Sequence, residues 1–552
     1  MYNLWYKNAV IYCLDVDAFM DFDGDGVGDF LGLTDRLDHI EALGCDTIWL
    51  LPFYPSPNKD NGYDITDYYA VDPRLGNLGH FVEFAQGAKD RGLKVMVDLV
   101  VNHTSIDHPW FQRSREGDPK YRDWYVWKDE KPADAEKGVI FPGVQESTWT
   151  YDRKRQAYYF HRFYKHQADL NIANPAVREE IERIIGFWLA LGVSGFRVDA
   201  VPFMLEDLEG PDDGESPYGY LGQIRRFLSW RRAEAILLAE ANIPMEEAGD
   251  YFGNDDRLNV IFNFPLNQQL FLALARRDGT PVARFLKALP EIPETAQWAT
   301  FLRNHDEIDL GRLEEEERAE VFAAFGPEKS MQIYDRGIRR RFAAMLGGDE
   351  RRIQMAFSLM LSLPGTPVIW YGDELGMGDN LDLPERNAVR TPMQWSNKRS
   401  GGFSTAKPED CVRTPVTDGP FGYAHINADA QRIDPNSTFS TVQRLIRARR
   451  SCPEIGWGKA EVLEIDGPSV LALRYVWRGN RLVTLHNLSD VPQTVEITPL
   501  IEGCEVRPVL RAGIDIDRTG DGLTLKLGAY GYEWLRLEAE TETETETETE
   551  TE

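Results

Sequence analysis

Carboxylates, histidines and arginines gather in four short stretches of this 552-residue chain. They are Asp98 to His103, Arg197-Val198-Asp199, Glu240-Ala241-Asn242 and Arg303-Asn304-His305-Asp306-Glu307. Each ends an apolar, strand-like run, so the polar groups emerge at strand ends. Arg197 stands two residues before Asp199, hence on the same strand face. Buried together they form a charge-assisted pair, which keeps Asp199 ionised and lowers its pKa. Glu240 follows Leu237, Leu238 and Ala239 and precedes Ala241, an apolar setting that raises a carboxyl pKa. One ionised and one protonated carboxyl is what substitution at an acetal carbon needs, through an oxocarbenium-like state. A single cluster would pass as a structural ion pair. Four at corresponding strand ends are more buried charge than a scaffold explains.

The elements that position these groups follow from the apolar pattern. Strands are expected at 9–16, 47–51, 94–101, 193–201, 235–241, 259–264, 298–303 and 367–371, with amphipathic segments such as 30–43, 78–91 and 177–191 between them. Eight short strands alternating with helices predict an α/β fold, a parallel (β/α)8 TIM barrel with its chemistry at the C-terminal strand ends. The stretch after the third strand is too long for a bare loop. The expected division is a barrel over 1–103 and 176–452, an inserted domain over 104–175, and an antiparallel β-sandwich over 453–537. A disordered Glu-Thr tail over 538–552, with eight alternating glutamates, completes it.

The net charge of −29 repels phosphate backbones and anionic lipid, which excludes nucleic acid and membrane as partners and suits a neutral substrate. No leader and no run long enough to cross a bilayer is seen, so a cytoplasmic address is expected. Five cysteines without CxxC spacing read as reduced thiols rather than a disulfide or zinc framework. The arginine-rich stretches 336–341 and 444–450 read as solvated faces, and 314–317 as an exposed acidic run. The tryptophans of the inserted domain are equally consistent with core and with sugar platforms.

Two further motifs carry chemistry. Asp21, Asp23, Asp25 and Asp29 fall within nine residues, a spacing that suits a hard cation. A full EF-hand fails, because its twelfth position is Gly32 and no helix enters the loop. Tyr63-Asp64 offers a stacking ring beside a bidentate acceptor, a sugar-binding pair that is also ordinary turn chemistry.

The four clusters, with Gln167-Ala168-Asp169-Leu170-Asn171 as a fifth segment, resemble the signature regions of the α-amylase family, glycoside hydrolase family 13. The similarity is nearest its trehalose synthase and oligosaccharide α-glucosidase branches. The resemblance implies Asp199 as nucleophile, Glu240 as acid/base and Asp306 as the group that binds sugar hydroxyls. His103, Arg197 and His305 would line the sugar subsite, with Tyr63 stacking on the glucose. Asp64 would accept from its hydroxyls, paired with Arg390 to close the pocket. Retention is implied, with catalytic carboxyls about 5 Å apart. So are a structural Ca²⁺ held by Asp21, Asp23, Asp25, the Val27 carbonyl and Asp29, and a second one near Asn102, Asp169 and Glu206. No organic cofactor is implied. The substrate would be a small α-glucoside, either isomerised between maltose and trehalose, transferred or hydrolysed, by an enzyme whose relatives often form homodimers.

Overall fold

A computed structural model describes residues 3–206, 217–497, 504–510, 516–519 and 522–539. Eight strands close into a barrel: β1 (Ile11–Leu14), β2 (Thr47–Leu50), β3 (Lys94–Leu99), β4 (Gly195–Val198), β5 (Ile236–Ala239), β6 (Val260–Phe262), β7 (Gln297–Phe301) and β8 (Thr366–Trp370). All neighbours are parallel, and β8 pairs with β1 to shut the ring. Every described barrel residue but Lys94 is buried, as expected of strands covered on both faces. Each expected strand is found, seven of them shorter by one to five residues and the eighth of equal length but shifted by one residue; the polar ends leave the ladder to line the barrel mouth.

The helices begin where the sequence supplies caps. Asn77 accepts from the His80 N–H at the start of Leu78–Asp90, and Asn174 accepts from Ala176 N–H ahead of Pro175–Ala190. The segment at 30–43 is two helices, Phe30–Asp35 and Leu37–Leu43, parted at Arg36. Two arginine stretches depart from the solvated reading. Arg341 is fully buried and donates to the Tyr371 carbonyl and Asp373, while Arg449 donates to the carbonyls of Leu361, Leu363 and Gly365. Both guanidiniums satisfy backbone carbonyls left over at turns, which composition cannot reveal.

After β3 the chain makes an excursion with its own three-stranded sheet (Trp127–Lys128, Trp149–Asp152, Ala157–Phe160) before returning to the barrel through Gln167–Asp169. At the C-terminus a five-stranded and a three-stranded antiparallel sheet face each other over Val470, Val483, Leu485, Val495, Leu525 and Leu535. The last strand, Tyr532–Ala539, runs two residues past the expected start of the tail; residues 540–552 lie outside the described ones.

Candidate active site

Register places the charged strand ends. Asp98 on β3 and Arg197 on β4 are direct partners, and β5 pairs with β4 so that Glu240 arrives beside Asp199. Arg197 is buried and serves three carboxylates. One Nη1 meets Asp98 Oδ1 at 2.6 Å and Asp199 Oδ1 at 2.5 Å, and Nη2 binds Glu240 Oε2. Trp49 Nε1 donates to the other oxygen of Asp98 at 3.0 Å. Ala200, directly after Asp199, has φ 48, a strained value for a residue with a side chain. The turn aims the Ala200 N–H at Glu240 Oε2, 3.3 Å away.

One cation cannot offset three anions in a buried site. Burial pushes Asp199 up to about 6, with Arg197 opposing and Asp98 adding to the rise. Burial likewise takes Glu240 to about 7, against Arg197 and with Asp199 and Asp306. The lowered pKa expected for Asp199 is therefore corrected: the cost of burial, with Asp98 adding to it, outweighs the attraction of an arginine divided among three carboxylates. The order survives, Glu240 above Asp199, and at neutral pH the aspartate is ionised while the glutamate is about half protonated.

Asp306 lies opposite. Burial works against its ionisation, but His305, Arg386 and Arg390 hold it well below the usual range. Arg386 Nη1 reaches Asp306 Oδ1 at 2.6 Å, Arg390 Nη2 the same oxygen at 3.1 Å, and His305 Nε2 lies 3.1 Å from Oδ2. Tyr63 stacks on His305, centroids 5.7 Å apart, and its hydroxyl meets His305 Nε2 at 2.9 Å. Burial lowers both His103 and His305 to about 4, so both are neutral donors and acceptors rather than cations. His103 Nε2 and His305 Nδ1 are buried without protein partners.

These groups surround a narrow inner pocket of about 60 Å³, lined by Asp60, Tyr63, His103, Asp199, Glu240 and Asp306 among others. It opens past Phe141 and Phe163 into an outer chamber of about 510 Å³, whose wall includes Phe203, Glu206, Tyr218, Tyr251, Glu307 and Arg336. Glu240, Asp306 and Arg386 border both.

Asp64 is not brought to the cavity. It is fully buried, and its oxygens accept from Ser56 Oγ and from the N–H groups of Lys59 and Asp60. Arg390 does not pair with it, donating instead to the His305 carbonyl and Asp306. Asp60 takes the expected place: it meets Arg386 at 3.3 Å and Gln167 Nε2 at 2.9 Å, closing the pocket behind Tyr63. Asp60 and Arg386 were missed because one lies in a turn and the other in the 3-10 helix Glu385–Val389, both too short for periodicity to tell which of two nearby residues faces inward. The aromatic neck, Phe141 and Phe163, carries no sequence signal either.

In the acidic loop, Asp21, Asp23 and Asp29 bring one oxygen each within 4.8 Å of one another. Asp25 is not in that group; its Oδ1 accepts from the Val27 N–H at 2.7 Å. Both oxygens of Asp21 accept from Gly24 and Gly26 N–H, and Asp29 accepts from Phe22 and Gly32 N–H. At the second expected calcium position Glu206 is engaged by Arg162, while Asn102 donates to Asp169 at 3.2 Å.

An ionised aspartate and a half-protonated glutamate side by side in a barrel-mouth cavity define an enzyme that works on glycosidic bonds. The chain belongs to the alpha-amylase family: that family's catalytic domain matches residues 13–324 and 334–458, and a sucrose hydrolase-like C-terminal domain matches 479–536. It is 45% identical over 499 residues to a trehalose synthase of Thermus thermophilus, covering 90% of this chain and 51% of that protein. A trehalose synthase/amylase of Mycobacterium tuberculosis is 41% identical over 546 residues, 96% of this chain and 90% of that protein. The chain thus spans about half the length of the Thermus relative. Among solved structures, the isomaltulose synthase of Protaminobacter rubrum superposes with a TM-score of 0.77 at 26% identity, over 97% of this chain and 99% of that one. The alpha-amylase of H. orenii gives 0.79 at 26%, over 96% and 100%.

Proposed function

We propose that the chain is a retaining glucosyl-transferring enzyme that interconverts maltose and trehalose. The observation that carries this reading is the pairing of a small pocket, lined by Asp199, Glu240 and Asp306, with a larger chamber that Glu240 and Asp306 also border. The non-reducing glucose enters the inner pocket, its hydroxyls taken by Asp60, Asp306 and the unpartnered nitrogens of His103 and His305. Asp199 attacks the anomeric carbon while Glu240 gives its proton to the departing glycosidic oxygen, leaving a glucosyl–Asp199 ester and free glucose. The glucose, held in the outer chamber, turns to present its anomeric hydroxyl. Glu240, now ionised, takes that proton as the hydroxyl oxygen attacks the glucosyl carbon and the ester breaks. Holding the released glucose in place of water gives isomerisation; water in its stead gives hydrolysis. Incubation with maltose tests this. Trehalose as the main product is expected, and glucose alone overturns the isomerase reading in favour of an exo-acting α-glucosidase.

A structural Ca²⁺ is proposed at Asp21, Asp23 and Asp29, whose convergent oxygens suit a hard cation. It would tie the loop before helix Phe30–Asp35, remote from any bond-breaking step. A cytoplasmic location is proposed as well, supported by the four described cysteines being free thiols. Among the described residues no helix is long and apolar enough to cross a membrane. A homodimer is proposed by analogy with relatives, and light scattering tests it.

A further inference from the structure

Arg413 lines neither the inner pocket nor the outer chamber, yet two of the loops that build the pocket meet on it. Its side chain is 5% exposed. Nη1 donates to the Arg390 carbonyl at 3.0 Å and to Asp17 Oδ1 at 2.9 Å. Nη2 donates to Asp15 Oδ2 at 3.0 Å and to the two oxygens of Asp17 at 2.8 and 3.0 Å, and lies 3.5 Å from Asn61 Oδ1. Asp15 and Asp17 are both buried and follow the end of β1.

Past the short helix Glu385–Val389 the chain runs buried and irregular, so its carbonyls need side-chain donors. Three in a row find one. Val389 accepts from Trp370 Nε1 at 3.1 Å, Arg390 from Arg413, and Thr391 from the Tyr371 hydroxyl at 2.7 Å. Satisfying a carbonyl is the plain role for Arg413, but neutral donors do that on either side of it. A buried guanidinium that two buried carboxylates must balance is a costly way to hold one carbonyl. What the planar fork adds is reach in several fixed directions: it ties the end of β1, the loop at Asn61 and the backbone of Arg390. Asn61, with φ 47, follows Asp60 and precedes Gly62-Tyr63, and both Asp60 and Tyr63 line the inner pocket. Arg390 in turn donates to the His305 carbonyl at 2.8 Å and to Asp306 Oδ1 at 3.1 Å.

We propose that Arg413 is a positioning residue for the glucose of the inner pocket: clamped by Asp15 and Asp17, it sets the place of Arg390 and, through it, of Asp306. It touches no reacting atom. The inference rests on the inner pocket holding the non-reducing glucose, and is independent of whether that sugar then passes to glucose or to water. A contact from Asp306 to sugar hydroxyls is made in the ground state and the transition state alike, so misplacing it weakens binding more than it slows turnover.

The kinetics of maltose consumption by the full chain test this with Arg413→Lys, which keeps the charge that Asp15 and Asp17 need but cannot span them and the Arg390 carbonyl together. KM is expected to rise by about tenfold with kcat held within about threefold. Binding of 1-deoxynojirimycin, a glucose-shaped iminosugar, followed by calorimetry, should weaken by about the same tenfold factor. A residue that served only the fold would lower the active fraction, and so kcat, at unchanged KM. In an Arg390→Lys background, Arg413→Lys should add less than about twofold to KM, because effects that pass through one group do not multiply. Should Arg413→Lys not fold, Asp17→Asn, which loosens the clamp and leaves Asp15 in place, is expected to raise KM by about threefold. The proposal is overturned by a lowered kcat at unchanged KM, by iminosugar binding like that of the wild type, or by full multiplication of the two lysine effects. Glucose as the sole product would sink the isomerase reading and leave the Arg413 result standing, since KM is read from the maltose consumed.

Discussion

Two acidic clusters of this protein, one contiguous in sequence and one assembled from three strands, differ in what their oxygens do. In the loop from Asp21 to Asp29, both oxygens of Asp21 and of Asp29 already accept backbone N–H groups. Around Arg197, by contrast, three carboxylates share one guanidinium. The first arrangement uses one lone pair of each oxygen to shape a turn and leaves the others to the proposed cation. The second leaves charge unbalanced, raises two pKa values towards neutrality and keeps Glu240 able to change protonation state during turnover. What distinguishes a catalytic carboxylate from a structural one is thus not its residue type or its neighbours in sequence, but how many donors it competes for.

The comparison breaks hardest at Asp199. Asp199→Asn is expected to cut maltose turnover by about 10⁴-fold or more with unchanged circular dichroism, because a nucleophile cannot be bypassed. A change of tenfold or less would move the chemistry elsewhere. Glu240→Gln is expected to cost about 10²–10⁴-fold on maltose, and to spare a donor such as glucosyl fluoride whose leaving group needs no proton.

The pH profile sharpens the same point. Activity requires Asp199 ionised and Glu240 protonated, so kcat/KM for maltose should fall below pH about 6 and above pH about 7. With glucosyl fluoride as donor, the alkaline limb of the glycosylation step should vanish in Glu240→Gln. A flat profile from pH 5 to 8 would contradict the shared-guanidinium account.

Asp60 against Asp64 is the next test. Asp60→Asn should raise KM for maltose by about tenfold or more, since a charge-assisted contact to sugar hydroxyls is lost. Asp64→Asn should change KM by only a few-fold and mainly loosen its own loop. The reverse order would restore the reading taken from sequence.

The smallest effects concern stability. Chelation with EDTA should lower the melting midpoint by a few degrees while leaving turnover at 25 °C unchanged, and Asp21→Asn should erase that shift. In the sandwich, burial raises Glu533 to about 8. A carboxyl raised above its unfolded value binds more protons folded than unfolded, so stability declines as pH rises from about 4.5 to about 8. Glu533→Gln should flatten that decline, measured by urea unfolding at pH 5 and pH 8.

The sequence alone determined the barrel and its working end. Apolar runs such as 47–51 and 235–241 are long enough and regular enough to declare strands, and the polar clusters that close four of the runs declare which end faces the ligand. It determined the identity of Asp199, Glu240 and Asp306 as candidates, because those residues end strands whose order is dictated by the fold. Only the tertiary structure decided that Asp60 rather than Asp64 faces the pocket, that Arg341 and Arg449 are buried, and that Arg197 is divided among three acids. The physical reason is the same in each case. Strand position follows from local periodicity, but a pKa, a buried partner or the facing of a loop residue depends on groups brought together from distant parts of the chain, and their number is not written in any one stretch.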